Sequence, residues 1–419
     1  MPLESGARWR ASLAQGADRF DGSLRLWRHL PLSLGLMIEL HDHAKIITVV
    51  AGIGGMARAA HNDLQPVQVI RNTTLRQVDG RTTGGRSHHL KPHVFVAMPL
   101  AGRYLDQLRE HCDVEVFSAT QPISPEELAA AIGDADGVLG SAQLLFPTEI
   151  LDRAPRLRVI CNVGVGYDNV DLGELSRRGI ALANTPGVLS DAVADLVLGL
   201  MIAVARHLRE CETIVREGRW GEPGLRIPLG SDLRGKTLSI VGMGRIGREV
   251  AARAAAFKMR VLCFDTRSDL VPPPFAERAA TLDDALRAGD FISLHVDLNP
   301  ASRHLIGPRE FGLMKASAFL INAARGAVVD QRALYDALAA QRIAGAGLDV
   351  LESEPPTTGD LLLQLDNVFI VPHIGSATVD TRAAMMELAI ENLVACVIGR
   401  PCVNIVNPEA AVATKEVSP

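Results

Sequence analysis

The sequence predicts an α/β protein built on two open, mostly parallel sheets, and three observations carry that expectation. From residue 91 onward, short apolar runs alternate with amphipathic stretches, the grammar of βαβ units. The run Thr237-Leu238-Ser239-Ile240-Val241 passes straight into Gly242-Met243-Gly244-Arg245-Ile246-Gly247, which reads as a strand, a glycine turn and the start of a helix. Three later strand-like runs, Ala318-Phe319-Leu320-Ile321, Ala346-Gly347-Leu348-Asp349-Val350 and Val368-Phe369-Ile370-Val371, precede Asn322-Ala323-Ala324-Arg325-Gly326, Glu352-Ser353-Glu354-Pro355 and Pro372-His373-Ile374-Gly375-Ser376. A guanidinium, a carboxylate and an imidazole therefore fall at the carboxyl ends of strands, where open parallel sheets place their ligands.

Composition permits this architecture and removes several others. A chain of 419 residues with 47% hydrophobic content can build two sizeable cores. Its formal charge of -5 and the lack of a long Lys/Arg run leave no footprint for nucleic acid. Cys112, Cys161, Cys211, Cys263, Cys396 and Cys402 are scattered without a CxxC pair, as expected of thiols in a reducing compartment, so neither disulfides nor structural zinc are expected. His41-Asp42-His43 and His88-His89 have no further ligand at metal-binding spacing and are expected to be solvated loop.

Residues 1–90 are Arg-rich, with no sustained helical or strand period, and 79–86 read as a linker. This stretch is expected to be a poorly ordered extension. Its most apolar run, 46–56, is broken by Gly and Ala and stopped by Arg58, short of the ~20 residues of a membrane span. The first residues are mixed and polar, unlike a signal peptide. No membrane partner and a cytoplasmic location are the expectation.

Order is expected from the strand 91–97, with a helix through Tyr104 and Leu108, a strand at 113–117, a helix at 125–132, and strands at 137–140 and 158–161. Asn162-Val163-Gly164-Val165-Gly166-Tyr167-Asp168-Asn169-Val170-Asp171 closes that unit, with glycines where a turn is made or a backbone approaches something closely. An apolar helix at 192–207 leads to the second domain, and a last helix at 378–398 can return to the first.

In the glycine turn, Gly242 permits the tight bend, Gly244 clears the approach of a dinucleotide pyrophosphate, and Gly247 lets the following helix pack on its strand while its first amides face the anion. The next strand, 260–264, ends at Asp265, the spacing at which an acid bonds ribose hydroxyls and favours NAD. Arg267 lies two residues on and is able to take a 2′-phosphate, so NADP is the alternative. For chemistry, Arg325 offers a planar fork to a carboxylate and ketone side by side, and His373 is the candidate acid for the developing oxyanion. An anion on its other ring nitrogen keeps the proton in place. The pattern reads as a nicotinamide-dependent dehydrogenase.

From 91 to about 406 the chain resembles the D-isomer-specific 2-hydroxyacid dehydrogenases. It is most similar to their glyoxylate/hydroxypyruvate reductase branch, through 162–171, the stretch Asn184-Thr185-Pro186-Gly187-Val188-Leu189-Ser190-Asp191-Ala192-Val193-Ala194-Asp195, and Pro372-His373-Ile374-Gly375-Ser376-Ala377-Thr378. The resemblance implies a flavodoxin-like substrate domain at 91–186 completed by 375–406, a Rossmann NAD-binding domain at 187–374, a tail at 407–419, and a homodimer. It makes Glu354, rather than Glu352, the partner of His373, so that Arg325, Glu354 and His373 are the catalytic set. It implies substrate contacts from the backbone of Val163 and Gly164 together with Arg325 and His373. Cofactor contacts are implied from Gly242, Gly244, Arg245, Ile246, Gly247, Asp265, Ala323, Arg325, Asp349, His373 and Gly375, with strand capping as the other reading of Asp349.

The implied reaction is NAD(P)H-dependent reduction of a small 2-oxo acid to the D-2-hydroxy acid. Departures are Asp297 where relatives often have Pro, and Gly221-Glu222-Pro223 where this branch often adds a Trp after Trp220. Glu354 argues against a formate dehydrogenase, and Val165 and Tyr167 against a phosphite dehydrogenase. A dinucleotide-sensing corepressor on the same fold, or a relative acting on phosphoglycerate or 2-ketogluconate, is the competing reading.

Overall fold

The computed structural model describes residues 91–413 except 119, 120 and 122, and, within the first 90 residues, the backbone of four strands. The chain divides into two compact units, Met1–Gly85 and Arg86–Pro419.

In the first unit, β1 (Ala17–Phe20), β2 (Ser23–His29), β3 (Leu34–His41) and β4 (Ile46–Ile53) form an antiparallel sheet in chain order. The absence of a sustained helical or strand period in 1–90 gave no sign of these strands, in which Trp27 stands opposite Met37 and Leu36 opposite Ala51. A local signal exists, because Asp21-Gly22 separates the paired Phe20 and Ser23, and Asp-Gly between β-prone runs marks a hairpin. It is masked because β3 and β4 are apolar at consecutive positions instead of alternating, a pattern that periodicity cannot assign. The expected linker, His43, His88 and His89, the poor order expected of the remaining residues before 91, and 414–419 lie outside the described residues.

The second unit carries two wholly parallel sheets. β5 (His93–Val96), β6 (Asp113–Val116), β7 (Gly137–Ser141), β8 (Val159–Val163) and β9 (Ala181–Ala183) lie in the order β6-β5-β7-β8-β9. Counted within that sheet this is 2-1-3-4-5, the flavodoxin-like winding. β10 (Thr237–Val241), β11 (Arg260–Phe264), β12 (Ala276–Arg278), β13 (Phe291–Leu294), β14 (Phe319–Asn322), β15 (Gly345–Leu348) and β16 (Val368–Ile370) lie in the order β12-β11-β10-β13-β14-β15-β16. That is 3-2-1-4-5-6 with one strand added, the Rossmann winding. Helices cover both faces, so β8 and β10 are buried at every position, including polar Asn162, Thr237 and Ser239.

Local chemistry sets the helix starts. Pro125–Ala131 opens on a capping box in which Ser124 and Glu127 satisfy each other's backbone amides, with Pro125 in the first turn. The helix Ser190–Ala205 lies on β14 and β15 and on the helix Arg245–Ala256, so it belongs to the seven-stranded sheet. The last long helix, Val379–Val397, returns to the five-stranded sheet, where Leu393 and Val397 crowd Gly137 beside Val159. No helix among the described residues is long and apolar enough to cross a membrane.

Candidate active site

The strand order of the seven-stranded sheet reverses between β10 and β13, and the crevice outside that point is where such sheets bind ligands. The glycine turn leaves β10 there. Gly242 has φ 97, and a Cβ on it would stand 2.5 Å from the carbonyl oxygen of His295, so the bend accepts only glycine. Gly247 falls in the first turn of the helix Arg245–Ala256, and a Cβ there would overlap the Gly242 carbonyl. No described atom lies within 4 Å of a Cβ built on Gly244. This bare face, with Arg245 exposed and Ile246 half-buried beside it, fits a pyrophosphate over the helix amino end.

Asp265 follows β11 and is almost fully engaged by its own chain. Its carboxylate accepts the Met243 N–H at 2.9 Å, the Arg267 N–H at 3.0 Å, and Arg267 Nε and Nη2 at 2.9 and 2.8 Å. The Arg267 side chain, more than any other group, holds this carboxyl well below the usual range against the opposing effect of burial. A ribose hydroxyl reaches Asp265 only by sharing it with Arg267.

β14, β15 and β16 are neighbours, so the three chemistry-bearing strand ends converge. Buried Asn322 shapes the first turn: its Oδ1 accepts the Ala324 N–H at 3.0 Å and its Nδ2 donates to the Arg325 carbonyl at 2.9 Å, with Ala323 half-buried between. Arg325 Nη1 donates to the Ala324 carbonyl at 2.9 Å, and its Nε donates to Asp168 Oδ1 at 2.8 Å. A Cβ on Gly166 would overlap the Arg325 guanidinium. Gly166 and Asp168 belong to the turn after β8, so Arg325 links the two sheets of this unit.

Glu354 Oε2 lies 2.8 Å from His373 Nδ1, and Glu354 Oε1 accepts the Leu351 N–H at 3.0 Å. Burial pushes the Glu354 carboxyl up, but His373, the Leu351 amide and the Arg325 charge outweigh it and hold the group below its ordinary value. Glu352 is engaged elsewhere, 2.7 Å from His304 Nε2 and 3.3 Å from Arg303 Nη2. His373 has φ 52, a left-handed backbone that costs a non-glycine residue free energy unless its surroundings enforce it. Asp349 supplies the enforcement. Its carbonyl accepts the His373 N–H at 2.8 Å, and its carboxylate accepts the Ile374 and Gly375 N–H groups at 2.6 and 2.8 Å. Burial, chiefly, lifts its pKa while those amides oppose the lift. The contacts shown by Asp349 and by buried Gly375 are thus those of a pin for the His373 loop.

Val163 ends β8 and is buried. The Gly164 N–H already donates to the Asn162 carbonyl at 3.0 Å, so a carboxylate placed there must share that amide. The sequence reading missed Asp168 as a partner of Arg325, 157 residues away; the glycine-rich stretch 162–171 was the available cue. Among the described residues no group of His, Cys, Asp and Glu is placed to hold a metal ion.

A guanidinium, a carboxylate–imidazole pair and a dinucleotide turn on one sheet are the parts needed to move a hydride and a proton onto an oxo acid. The family model for the D-isomer specific 2-hydroxyacid dehydrogenase NAD binding domain matches residues 198–375. A glyoxylate reductase from Korarchaeum cryptofilum is 41% identical over 324 residues, 76% of this chain and 97% of the relative. The chain belongs to the D-isomer-specific 2-hydroxyacid dehydrogenases. This dehydrogenase is accordingly an NAD(P)-dependent oxidoreductase. A crystal structure of a Thermus thermophilus protein matches 75% of the dehydrogenase chain and 99% of its own at 41% identity, with a TM-score of 0.69. The crystal structure of the NADPH-dependent glyoxylate/hydroxypyruvate reductase from Sinorhizobium meliloti in complex with NADP and malonate matches 76% and 98% at 32% identity, TM-score 0.68.

Proposed function

We propose that the protein reduces a small 2-oxo acid of the glyoxylate or hydroxypyruvate type to the D-2-hydroxy acid. The observation that carries this reading is the 2.8 Å Glu354–His373 pair standing at the strand end next to that of Arg325. Asp168 takes Arg325 Nε and leaves Nη2 for the substrate carboxylate and ketone, with the backbone of Val163 and Gly164 completing the cradle. A bound reduced nicotinamide supplies the hydride. His373 Nδ1 is occupied by Glu354, so Nε2 delivers the proton to the developing alkoxide, and Glu354 remains ionised to hold the imidazolium. Ala323, Asp349 and Gly375 line the nicotinamide side, and Gly242, Gly244, Arg245, Ile246 and Gly247 hold the phosphates.

The substrate domain in this reading is 91–186 with 375–406, and the dinucleotide domain is 187–374, supported by the separate windings of the two sheets. A homodimer is supported by exposed Val215, Trp220, Ile227 and Leu229, and sedimentation showing a monomer overturns it. A reducing cytoplasm is in keeping with six free cysteines, and cell fractionation checks it. The function itself is tested by turnover with glyoxylate, hydroxypyruvate, pyruvate, phosphoglycerate and 2-ketogluconate. Binding of dinucleotide with no turnover on any of them makes the corepressor-like reading the correct one.

Cofactor choice rests on Asp265. Its carboxylate is expected to give NADH a clear kcat/KM advantage over NADPH, and Asp265→Ser to narrow it. A wild type that prefers NADPH means that Arg267 has left Asp265 for a 2′-phosphate.

The pH dependence of reduction follows from Glu354. Because its carboxyl lies below the ordinary value, the anion facing His373 persists as pH falls, so the acid side of the profile stays high until Glu354 protonates. Glu354→Gln removes the group whose protonation ends activity on that side, so the acid fall-off should vanish from the profile, on a lower plateau rate. An acid fall-off that is unchanged in Glu354→Gln separates Glu354 from the proton transfer.

A further inference from the structure

The fold brings together two cysteines that the sequence leaves unrelated. Cys396 lies in the last turn of the helix Val379–Val397. The helix is stopped by Gly399 at φ 75, with the Arg400 N–H donating to the Ala395 carbonyl at 2.8 Å, so the chain reverses and runs back along the helix. Cys402 then places its Sγ 3.5 Å from Asn392 Oδ1. Asn392 and Cys396 are four residues apart on one helix face, so Cys402 stands over the same face as Cys396. The Asn392 contact and the reversal at Gly399 make the two thiols neighbours on this face. Both are partly exposed, whereas Cys112, Cys161 and Cys263 are buried.

The surroundings divide the pair into two roles. The neighbouring Cys396 thiol, and to a lesser degree the Asn404 N–H, hold the Cys402 thiol below its ordinary value against the effects of burial and of the Glu391 charge. The Cys396 thiol is pushed up, first by Cys402 and then by burial. One member is therefore the readier thiolate and the other keeps its proton, which suits a nucleophile and a resolving thiol. The site also adjoins the crossover between the two sheets. Asn392 donates to the Asn184 carbonyl at 3.0 Å and accepts from Asn404 Nδ2 at 3.1 Å.

We propose that Cys396 and Cys402 are a redox modification site that closes reversibly to an intramolecular disulfide on reaction with a peroxide. The Cys402 thiolate attacks one peroxide oxygen; the O–O bond breaks, hydroxide leaves, and Cys402 becomes the sulfenic acid. The Cys396 sulfur then attacks that sulfur; the S–S bond forms, the S–O bond breaks, and water departs with the Cys396 proton. Two thiols are oxidised by two electrons in all, and the peroxide is reduced to water. An external dithiol reverses the step by exchange.

The test uses the full-length protein, graded hydrogen peroxide, alkylation with N-ethylmaleimide and tryptic mapping. Pro401 blocks cleavage after Arg400, so both thiols fall in the single peptide 383–415. That peptide should lose both alkylatable thiols together with the mass of two hydrogens, roughly ten-fold ahead of the loss of Cys211, and dithiothreitol should restore both. In Cys402→Ser, Cys396 should stay alkylatable at the same dose. The proposal is overturned if the wild-type peptide keeps its thiols at doses that consume Cys211. It is equally overturned if they disappear into oxygen adducts or a link to another chain, or if Cys396 in Cys402→Ser is lost as fast as in wild type.

Discussion

Replacing His373 with alanine is expected to lower kcat for 2-oxo acid reduction by roughly two to four orders of magnitude, the scale of a lost general acid, with KM within a few-fold of wild type. Among the described residues the imidazole is the side-chain proton carrier bonded to Glu354, which it meets through Nδ1, leaving Nε2 for the substrate. In the proposed reading Arg325 binds the substrate acid, and the substitution leaves it tied to Asp168, so the loss is expected on the chemical step. Relief of the left-handed backbone at residue 373 is not part of the change, because alanine at φ 52 is also disfavoured. Steady-state kinetics with NADH, with the melting temperature as a control for folding, decide it. Undiminished kcat removes His373 from the reaction.

Gly166→Ala is expected to cost roughly a hundred-fold in kcat/KM, comparable with Arg325→Ala, although the substituted side chain has no chemistry of its own. A methyl on residue 166 occupies the place of the Arg325 guanidinium, and the free end of that arginine is the part able to move. Folding should therefore survive. The displaced guanidinium loses its bond to Asp168 and its aim at the substrate, and small misplacements of a positioning charge are costly in rate. The measurement is KM and kcat for the 2-oxo acid in Gly166→Ala, Arg325→Ala and the double variant. Because both act through one guanidinium, the double variant should be no worse than either single one. Additive losses, or a fully active Gly166→Ala enzyme, would falsify the placement of Arg325 against this turn.

Much of the fold was legible because its signals are local. A parallel sheet covered on both faces writes its strands as short, mostly apolar and β-prone runs, and Thr237 to Val241 feeding Gly242 is readable without knowing any neighbour. The N-terminal sheet was missed for the converse reason. Its strands lack alternation, and the Asp21-Gly22 cue is only two residues long.

The candidate site divides along the same line. Sequence alone determined that Arg325, Glu354 and His373 each follow a strand, and that Asp265 ends the strand after the glycine turn, because each relation spans only a few residues. Tertiary structure decided what those side chains touch. The register of β14, β15 and β16 brings the three ends together. The winding of a different sheet delivers Gly166 and Asp168 to Arg325. Asp349 becomes the pin of the His373 loop, Arg267 closes on Asp265, and a chain reversal at Gly399 sets Cys402 against the helix face that carries Asn392 and Cys396. Composition and periodicity report which face of an element is buried. The partner of a charge across a cleft depends on how whole sheets are wound and stacked, and no short stretch of sequence encodes that distance.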